Sequence, residues 1–253
     1  MNKRVPGGCL AMLAAMLAAM LAAVLAHAEP PVPRPTGIEV RDYPWQASAG
    51  EKSAALELKG NRKRGQEIYE LCRSCHLPSA GGLPDGSIPQ LAGQHSSVLI
   101  RQMADIRAGV RDNPTMYPFA AVLTDPQELA DVAAYIEGLC IPVEHGRYEG
   151  SDADRQMATG KVLYEKECRG CHGASGEGFR DKGYPVIAGQ HYPYLLRQMT
   201  EIRDGKRRNA NPEMVRIISK YDNGQLLAIS AYQSSLRMPG RMCKTMAPTR
   251  KKW

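Results

Sequence analysis

The chain has 253 residues, 33 Lys+Arg against 26 Asp+Glu, and 43% hydrophobic residues of which few are aromatic: 2 Phe, 2 Trp and 11 Tyr. That length allows one or two domains, and so few large apolar side chains point to small domains whose core is partly filled by something other than side chains. The charge is uneven, with 11 Lys+Arg against 15 Asp+Glu over residues 29–145 (net −4) and 20 against 11 over 146–253 (net +9). Such asymmetry bears on docking and steering, while basic residues interspersed with acids in an exported chain exclude nucleic acid as the expected partner.

Residues 1–28 read as a secretory signal peptide. Lys3 and Arg4 form a positive start, Leu10 to Leu25 is an Ala/Leu/Met run, and Ala26-His27-Ala28 is an A-x-A cleavage site. The run is short for a membrane span, Cys9 precedes it, and no later segment has the length to span a bilayer. The mature chain is therefore expected in the periplasm, soluble or loosely attached to the membrane. Residues 29–60 begin Glu-Pro-Pro-Val-Pro-Arg-Pro and lack apolar periodicity, which predicts an extended N-terminal arm or a wrapped N-terminal segment.

An internal repeat organises the rest. Cys72-Arg73-Ser74-Cys75-His76 recurs 96 residues on as Cys168-Arg169-Gly170-Cys171-His172. Pro89 to His95 (P-Q-L-A-G-Q-H) recurs as Pro185 to His191 (P-V-I-A-G-Q-H), and Arg101-Gln102-Met103 as Arg197-Gln198-Met199. Asn113-Pro114-Thr115-Met116 returns as Asn211-Pro212-Glu213-Met214, and Ala134-Tyr135 as Ala231-Tyr232. The repeat divides the chain into a first unit at 61–140, a linker at 141–154, a second unit at 155–238 and a basic tail at 239–253.

Each unit reads as helical. Gly65–Leu71 and Gly160–Glu167 run into the cysteine motifs. Over 96–108, Leu99, Met103 and Ile106 fall on one helical face. Asp125-Pro126 supplies an N-cap and a first-turn proline for a helix whose buried stripe is Leu129, Val132, Ala133 and Ile136, and Asp222 is the matching cap in the second unit. No convincing alternating strand is present.

C-x-x-C-H in an exported chain reads as a c-type haem attachment site. Two intervening residues let one helical turn present both sulfurs, Cys72/Cys75 and Cys168/Cys171, to a porphyrin edge, and the following His76 or His172 reaches the iron. Zinc, a thioredoxin-like redox pair and a plain disulfide are the competing readings. Zinc does not explain a histidine after both motifs, and a redox pair belongs near a βαβ pattern, which is absent. Two haems also account for the missing aromatics. Candidates for the second iron ligand recur in pairs: Met116/Met214 in Pro-containing loops, Met103/Met199 on a helical stripe where core packing is the better reading, and His95/His191 beside a helix start, where a turn or surface role is the plain one. The leftover Cys140 and Cys243 invite a disulfide.

The duplicated pattern resembles cytochrome c4, a family of periplasmic di-haem class I cytochromes c. The two C-x-x-C-H motifs, the P-x-x-A-G-Q-H segments, the L-x-R-Q-M helices, the N-P-x-M loops and the final A-Y helices carry the resemblance, over about residues 60–240. It implies an all-α fold of two tandem class I cytochrome c domains related by pseudo-twofold symmetry, with two covalently bound haem c groups. It implies His76 and His172 as proximal ligands, Met116 and Met214 as distal ligands, and Pro89 and Pro185 as the prolines whose carbonyls orient the proximal imidazoles. The first motif departs from the pattern, with Leu77 where the family has Gly.

The expected function is transfer of single electrons between a respiratory donor and a terminal acceptor such as an oxidase, with redox proteins as partners and no small-molecule substrate. The two haems are expected to differ in potential, the acidic first unit favouring the oxidised form. Two alternatives stand beside this: a di-haem enzyme of the thiosulfate dehydrogenase or peroxidase type, for which Cys140 is a candidate ligand, and a cytochrome subunit of a larger dehydrogenase or oxidase complex. The basic runs Arg62-Lys63-Arg64 and Lys206-Arg207-Arg208 read as solvated faces, the second also as a site for an acidic partner or a haem propionate.

Overall fold

The structure, a computed structural model, describes residues 50–238 and 240–243. The expected signal peptide, residues 29–49 of the arm and the Arg250-Lys251-Lys252-Trp253 end lie outside the described residues. Within residues 37–253, which form one compact unit, the first repeat is built from α1 (Glu51–Glu57), α2 (Arg62–Tyr69), α3 (Arg73–His76), α4 (Ser96–Arg107), α5 (Tyr117–Val122) and α6 (Pro126–Glu137). The second contains α7 (Ala153–Glu167), α8 (Arg169–His172), a 3-10 turn at Arg180–Lys182, α9 (Tyr192–Arg203), α10 (Pro212–Ile218) and α11 (Asn223–Ser235).

In each repeat the helix entering the cysteine motif crosses the last helix, α2 on α6 and α7 on α11. The crossing needs a residue without a side chain. A Cβ on Gly65 would run into the Asp131 carbonyl of α6, and one on Gly160 into the Ala228 carbonyl of α11. Beside each crossing two tyrosines pack at 5.3 Å between ring centroids, Tyr69 on Tyr135 and Tyr164 on Tyr232. The caps are as the sequence predicts. Asp125 accepts from the Gln127 N–H, and Asp222 and Gln225 form a reciprocal capping box.

Two local readings are corrected. The arm is not extended throughout, because residues 51–57 form α1, which packs on α4 and α6 with Ala55 fully buried. Lys52 ties it to the buried Asp105 at 3.0 Å, and Arg107 pairs with Glu51. The helix escapes a periodicity scan because it is only seven residues long and hides little more than one alanine. Strand is also present, in the minimal form of a parallel pair, β1 (Ile141–Pro142) with β2 (Met242–Cys243). Cys140 and Cys243 are disulfide-bonded there, with Cα atoms 5.7 Å apart, inside the range such a bridge requires. The end of the first repeat is thereby stapled to the segment that follows the second.

The pseudo-twofold relation is written in paired hydrogen bonds between the repeats. His95 Nε2 donates to the Glu177 carbonyl at 2.9 Å, and His191 Nε2 to the Gly81 carbonyl at 2.8 Å. Gly81 and Glu177 are themselves 96 residues apart. Ile141, fully buried, is wedged between Gly93 and Gly189, whose φ values of 71° and 72° suit glycine and whose absent side chains leave it room. His95 and His191 thus join the repeats. Neither a turn nor a surface role describes His191, which is 1% exposed.

Candidate haem centres

One cavity of about 590 Å³ is lined by both cysteine motifs. Its wall in the first repeat includes Cys72, His76, Leu99, Met103, Met116 and Val132, and in the second Cys168, Cys171, His172, Leu195, Met199 and Met214. The one-turn helices α3 and α8 set the geometry. Cys72 and Cys168 are their N-caps, and His76 and His172 their last residues.

Both histidines are buried, and burial lowers their pKa. Each ring is fixed from behind: His76 Nδ1 lies 3.0 Å from the Pro89 carbonyl oxygen, and His172 Nδ1 3.1 Å from that of Pro185. A carbonyl can only accept, so Nδ1 carries the proton and Nε2 keeps its lone pair. Metal-binding imidazoles are held in this way. Tyr69 and Tyr164 fasten the turn after each histidine by donating to the carbonyls of Leu77 and Gly173, both at 2.7 Å.

The thiols do not suit the competing readings. Burial pushes Cys72 up to about 11 and Cys168 up to about 12, so neither is the activated thiolate of a redox pair at neutral pH. Among the described residues no group of three or more His, Cys, Asp or Glu is placed to hold a metal ion. An apolar cavity lined by Cys72 and His76 from one repeat and by Cys168, Cys171 and His172 from the other fits a large, flat, apolar group attached through sulfur.

Met116 and Met214 both reach the cavity wall, Met116 from the turn that leads into α5, as the sequence predicts, and Met214 from within a short helix rather than a loop. Met116 is the N-cap residue of α5, its N–H held by Asn113 Oδ1 at 3.1 Å, and Met214 lies in α10 behind the Asn211 cap. Met103 and Met199 belong to the apolar cores of their repeats, as the stripe predicts.

The basic run at 206–208 is corrected in part. Arg207 is no solvated face: it sits at the cavity wall, donating to Gln198 Oε1 at 2.9 Å and Gln102 Oε1 at 3.0 Å. Arg111, its counterpart in the first repeat, donates to the same two glutamines at 3.1 and 2.8 Å. Two guanidiniums thus converge at the seam. Burial and then the Arg111 charge pull Arg207 down to about 10, so it remains charged at neutral pH. The first run also enters structure, Arg64 pairing with buried Asp131 at 2.7 Å. Cys140, considered as a ligand in an enzyme, is occupied by its disulfide.

Sequence reasoning missed Gln94 and Gln190, which bridge the repeats behind both histidines; their recurrence before His95 and His191 was the available signal. Gln233 was missed too. It is 2% exposed, lines the cavity and occupies the place of Ile136 in the first repeat.

The sequence model of the cytochrome c family matches residues 62–139 and again 157–236. Cytochrome c4 of Pseudomonas aeruginosa is 34% identical over 187 residues, covering 70% of this chain and 89% of that one. A protein of Stutzerimonas stutzeri described as a thiosulfate dehydrogenase electron acceptor is 31% identical over 199 residues, covering 73% and 91%. The solved structure of reduced recombinant cytochrome c4 from Pseudomonas stutzeri superposes with a TM-score of 0.60 at 28% identity, covering 70% of this chain and all of that one. Duplicated domains, paired haem-binding motifs and these likenesses converge, and the chain belongs to the cytochrome c4 family, as an electron-transfer cytochrome with two covalently bound haem c groups.

Proposed function

We propose that Cys72/Cys75 and Cys168/Cys171 hold the two haems as thioethers, that His76 and His172 are the proximal ligands and Met116 and Met214 the distal ones, and that the protein carries single electrons in the periplasm between a respiratory donor and a terminal acceptor such as an oxidase. The observation that carries this reading is the repeated histidine held by a proline carbonyl, His76 by Pro89 and His172 by Pro185, at one cavity that both cysteine motifs line. The haem irons, when bound, supply one-electron Fe(II)/Fe(III) chemistry; the chain's work is to hold them and set their environment. His76 and His172 offer Nε2 in a fixed direction. Met116 and Met214 would each supply a thioether sulfur as the second protein ligand of an iron, which would leave no open site for a substrate. Leu99, Val132 and Leu195 exclude water. Arg111 and Arg207 offer positive charge to the carboxylates that every haem bears.

Export is supported by the signal sequence, by the haem motifs and by a disulfide, which persists in an oxidising compartment. Among the described residues no helix is long and apolar enough to cross a membrane. The Stutzerimonas stutzeri relative supports a donor of the thiosulfate dehydrogenase class for this chain, which would place it beside such an enzyme as acceptor and not as the enzyme.

The test is the ferric absorption spectrum of the holo-protein, read at about 695 nm, where iron–methionine sulfur ligation absorbs. Two-haem intensity is expected, with about half lost in Met116→Ala or Met214→Ala and all of it in the double variant. A high-spin signature in the wild type would overturn the carrier reading in favour of a di-haem enzyme.

A further inference from the structure

The peptide group that carries the Pro89 carbonyl ends in the Gln90 N–H, so the oxygen that orients His76 and that N–H belong to one planar unit. The N–H is held from the other repeat: it donates to Gln190 Oε1 at 3.1 Å, and Gln190 Nε2 donates to the Gln90 carbonyl at 2.9 Å. The arrangement is reciprocal. The Val186 N–H, which shares its peptide with the Pro185 carbonyl behind His172, donates to Gln94 Oε1 at 2.9 Å, and Gln94 Nε2 donates to the Val186 carbonyl at 2.8 Å. Both glutamines are buried, and each Oε1 also accepts the following N–H, that of His95 or His191, at 3.1 Å.

We propose that Gln94 and Gln190 are crossed positioning residues, each fixing from the opposite repeat the peptide that orients the proximal imidazole, so that the redox equilibrium of each haem depends on a side chain of the other domain. This rests on His76 and His172 being the proximal ligands. Hydrogen bonds in series polarise one another. An amide whose N–H is donating has a more negative carbonyl oxygen, which pulls harder on the Nδ1 proton. The imidazole becomes a better electron donor and the ferric state gains. Removing the glutamine amide weakens the whole chain, His Nδ1–H to carbonyl to N–H to Oε1, and favours the ferrous state of the haem in the other repeat. The glycine before each glutamine is part of the device. At Gly93 and Gly189 the backbone turns at positive φ against Ile141, and the next side chain reaches across the interface.

The experiment uses Gln190→Met and Gln94→Met in the di-haem protein. Each haem is identified by the loss of its absorption near about 695 nm in Met116→Ala or Met214→Ala. Gln190→Met is expected to shift the oxidised/reduced equilibrium of the first-repeat haem towards ferrous by about threefold to tenfold, leaving the second-repeat haem nearly unchanged. Exchange of the His76 Nδ1 proton in the reduced protein should quicken. Gln94→Met should do the same to the second haem and His172. A shift in the haem of the glutamine's own repeat, equal shifts in both or none in either overturns the proposal, since a merely structural glutamine would loosen the interface without a crossed pattern. If the Met variants fail to fold, Gln190→Glu decides. Its neutral carboxyl offers the same acceptor and donor, so wild-type behaviour should return at acid pH, and its failure to return overturns the proposal. The ligand reading fails separately, if His76→Ala leaves the first-repeat haem spectrum unchanged.

Discussion

The two repeats share a scaffold, and they differ where it bears most on the haem sites. After His172 the second repeat has Gly173 at φ 78° and, three residues on, Gly176 at φ 74°. At the same places the first repeat has Leu77 at φ 66° and Ala80 at φ 54°. With ψ at 160°, Leu77 occupies a region that belongs almost wholly to glycine. It is held there because the turn must still pass its carbonyl to Tyr69 and place the histidine. The first repeat carries an additional brace, α1, with its buried Lys52–Asp105 pair. The second has a longer approach helix and a buried amide, Gln233, where the first has Ile136. The comparison teaches that one fold tolerates local strain on one side and a buried amide in place of an aliphatic side chain on the other, provided the frame around each imidazole is kept.

The largest effect expected is from breaking the staple that joins the two sides. Cys140→Ser with Cys243→Ser should lower the stability of the holo-protein by about 2–5 kcal/mol, read from denaturant unfolding, because the bridge closes a separation of 103 residues. An unchanged midpoint would mean that the interface hydrogen bonds alone hold the repeats together.

Exchanging the residues after the histidines sharpens the contrast in strain. Gly173→Leu should destabilise by about 2–3 kcal/mol, since it places a side chain at φ 78° against the Glu177 carboxylate. Leu77→Gly should stabilise by about 1 kcal/mol: relief of the strained backbone outweighs the chain entropy lost on ordering glycine. Leu77 is exposed, so little burial is given up. Thermal melts of both variants check the pair, and a destabilising Leu77→Gly would show that the leucine side chain makes a contact worth more than the strain.

Gln233→Ile removes the other asymmetry. Gln233 puts a buried amide dipole on the cavity wall of the second repeat where the first has an aliphatic side chain, and an amide oxygen turned towards the proposed haem would favour its ferric state. Loss of the amide should raise the potential of the second haem by about 40 mV, equivalent to about 1 kcal/mol for one electron. The acidic first unit is expected to hold its own haem lower, so the gap between the haems should widen. A redox titration that resolves a single potential for both haems, in the wild type and the variant alike, would dispose of the argument.

The smallest effect is a pH dependence. His191 accepts from the Gly146 N–H at Nδ1 (3.0 Å) and donates from Nε2 to the Gly81 carbonyl, a pattern only the neutral ring can make. Burial lowers its pKa, with the neighbouring His145 lowering it further and Asp85 opposing. A histidine depressed in the folded state contributes its full stability above the unfolded value of about 6.5 and loses it as pH falls through that value towards the folded pKa. Stability should therefore decline below about pH 6.5, and His191→Gln should flatten that slope.

Much of the molecule was legible in the chain itself. The haem motifs, the duplication, the Asp125 and Asp222 caps, the buried stripe of α6 and the pairing of two leftover cysteines all follow from spacing and residue type, because they report chemistry within one turn or one repeat. The resemblance added the prolines behind the histidines. What only the tertiary structure decided is how the copies meet. Gln94 and Gln190, Arg111 and Arg207, and the wedge of Ile141 between two glycines join residues some 45 to 105 positions apart. Their side chains look in the sequence like a turn amide, a surface charge and a linker. Helix α1 belongs with them, since its seven residues have too little apolar face to declare themselves and are held by packing on α4 and α6. Local pattern encodes the fold of each repeat because backbone hydrogen bonding and amphipathic burial are local rules. The interface is set by which surfaces come together once both copies have folded, and that follows from the pair of repeats and from neither one alone.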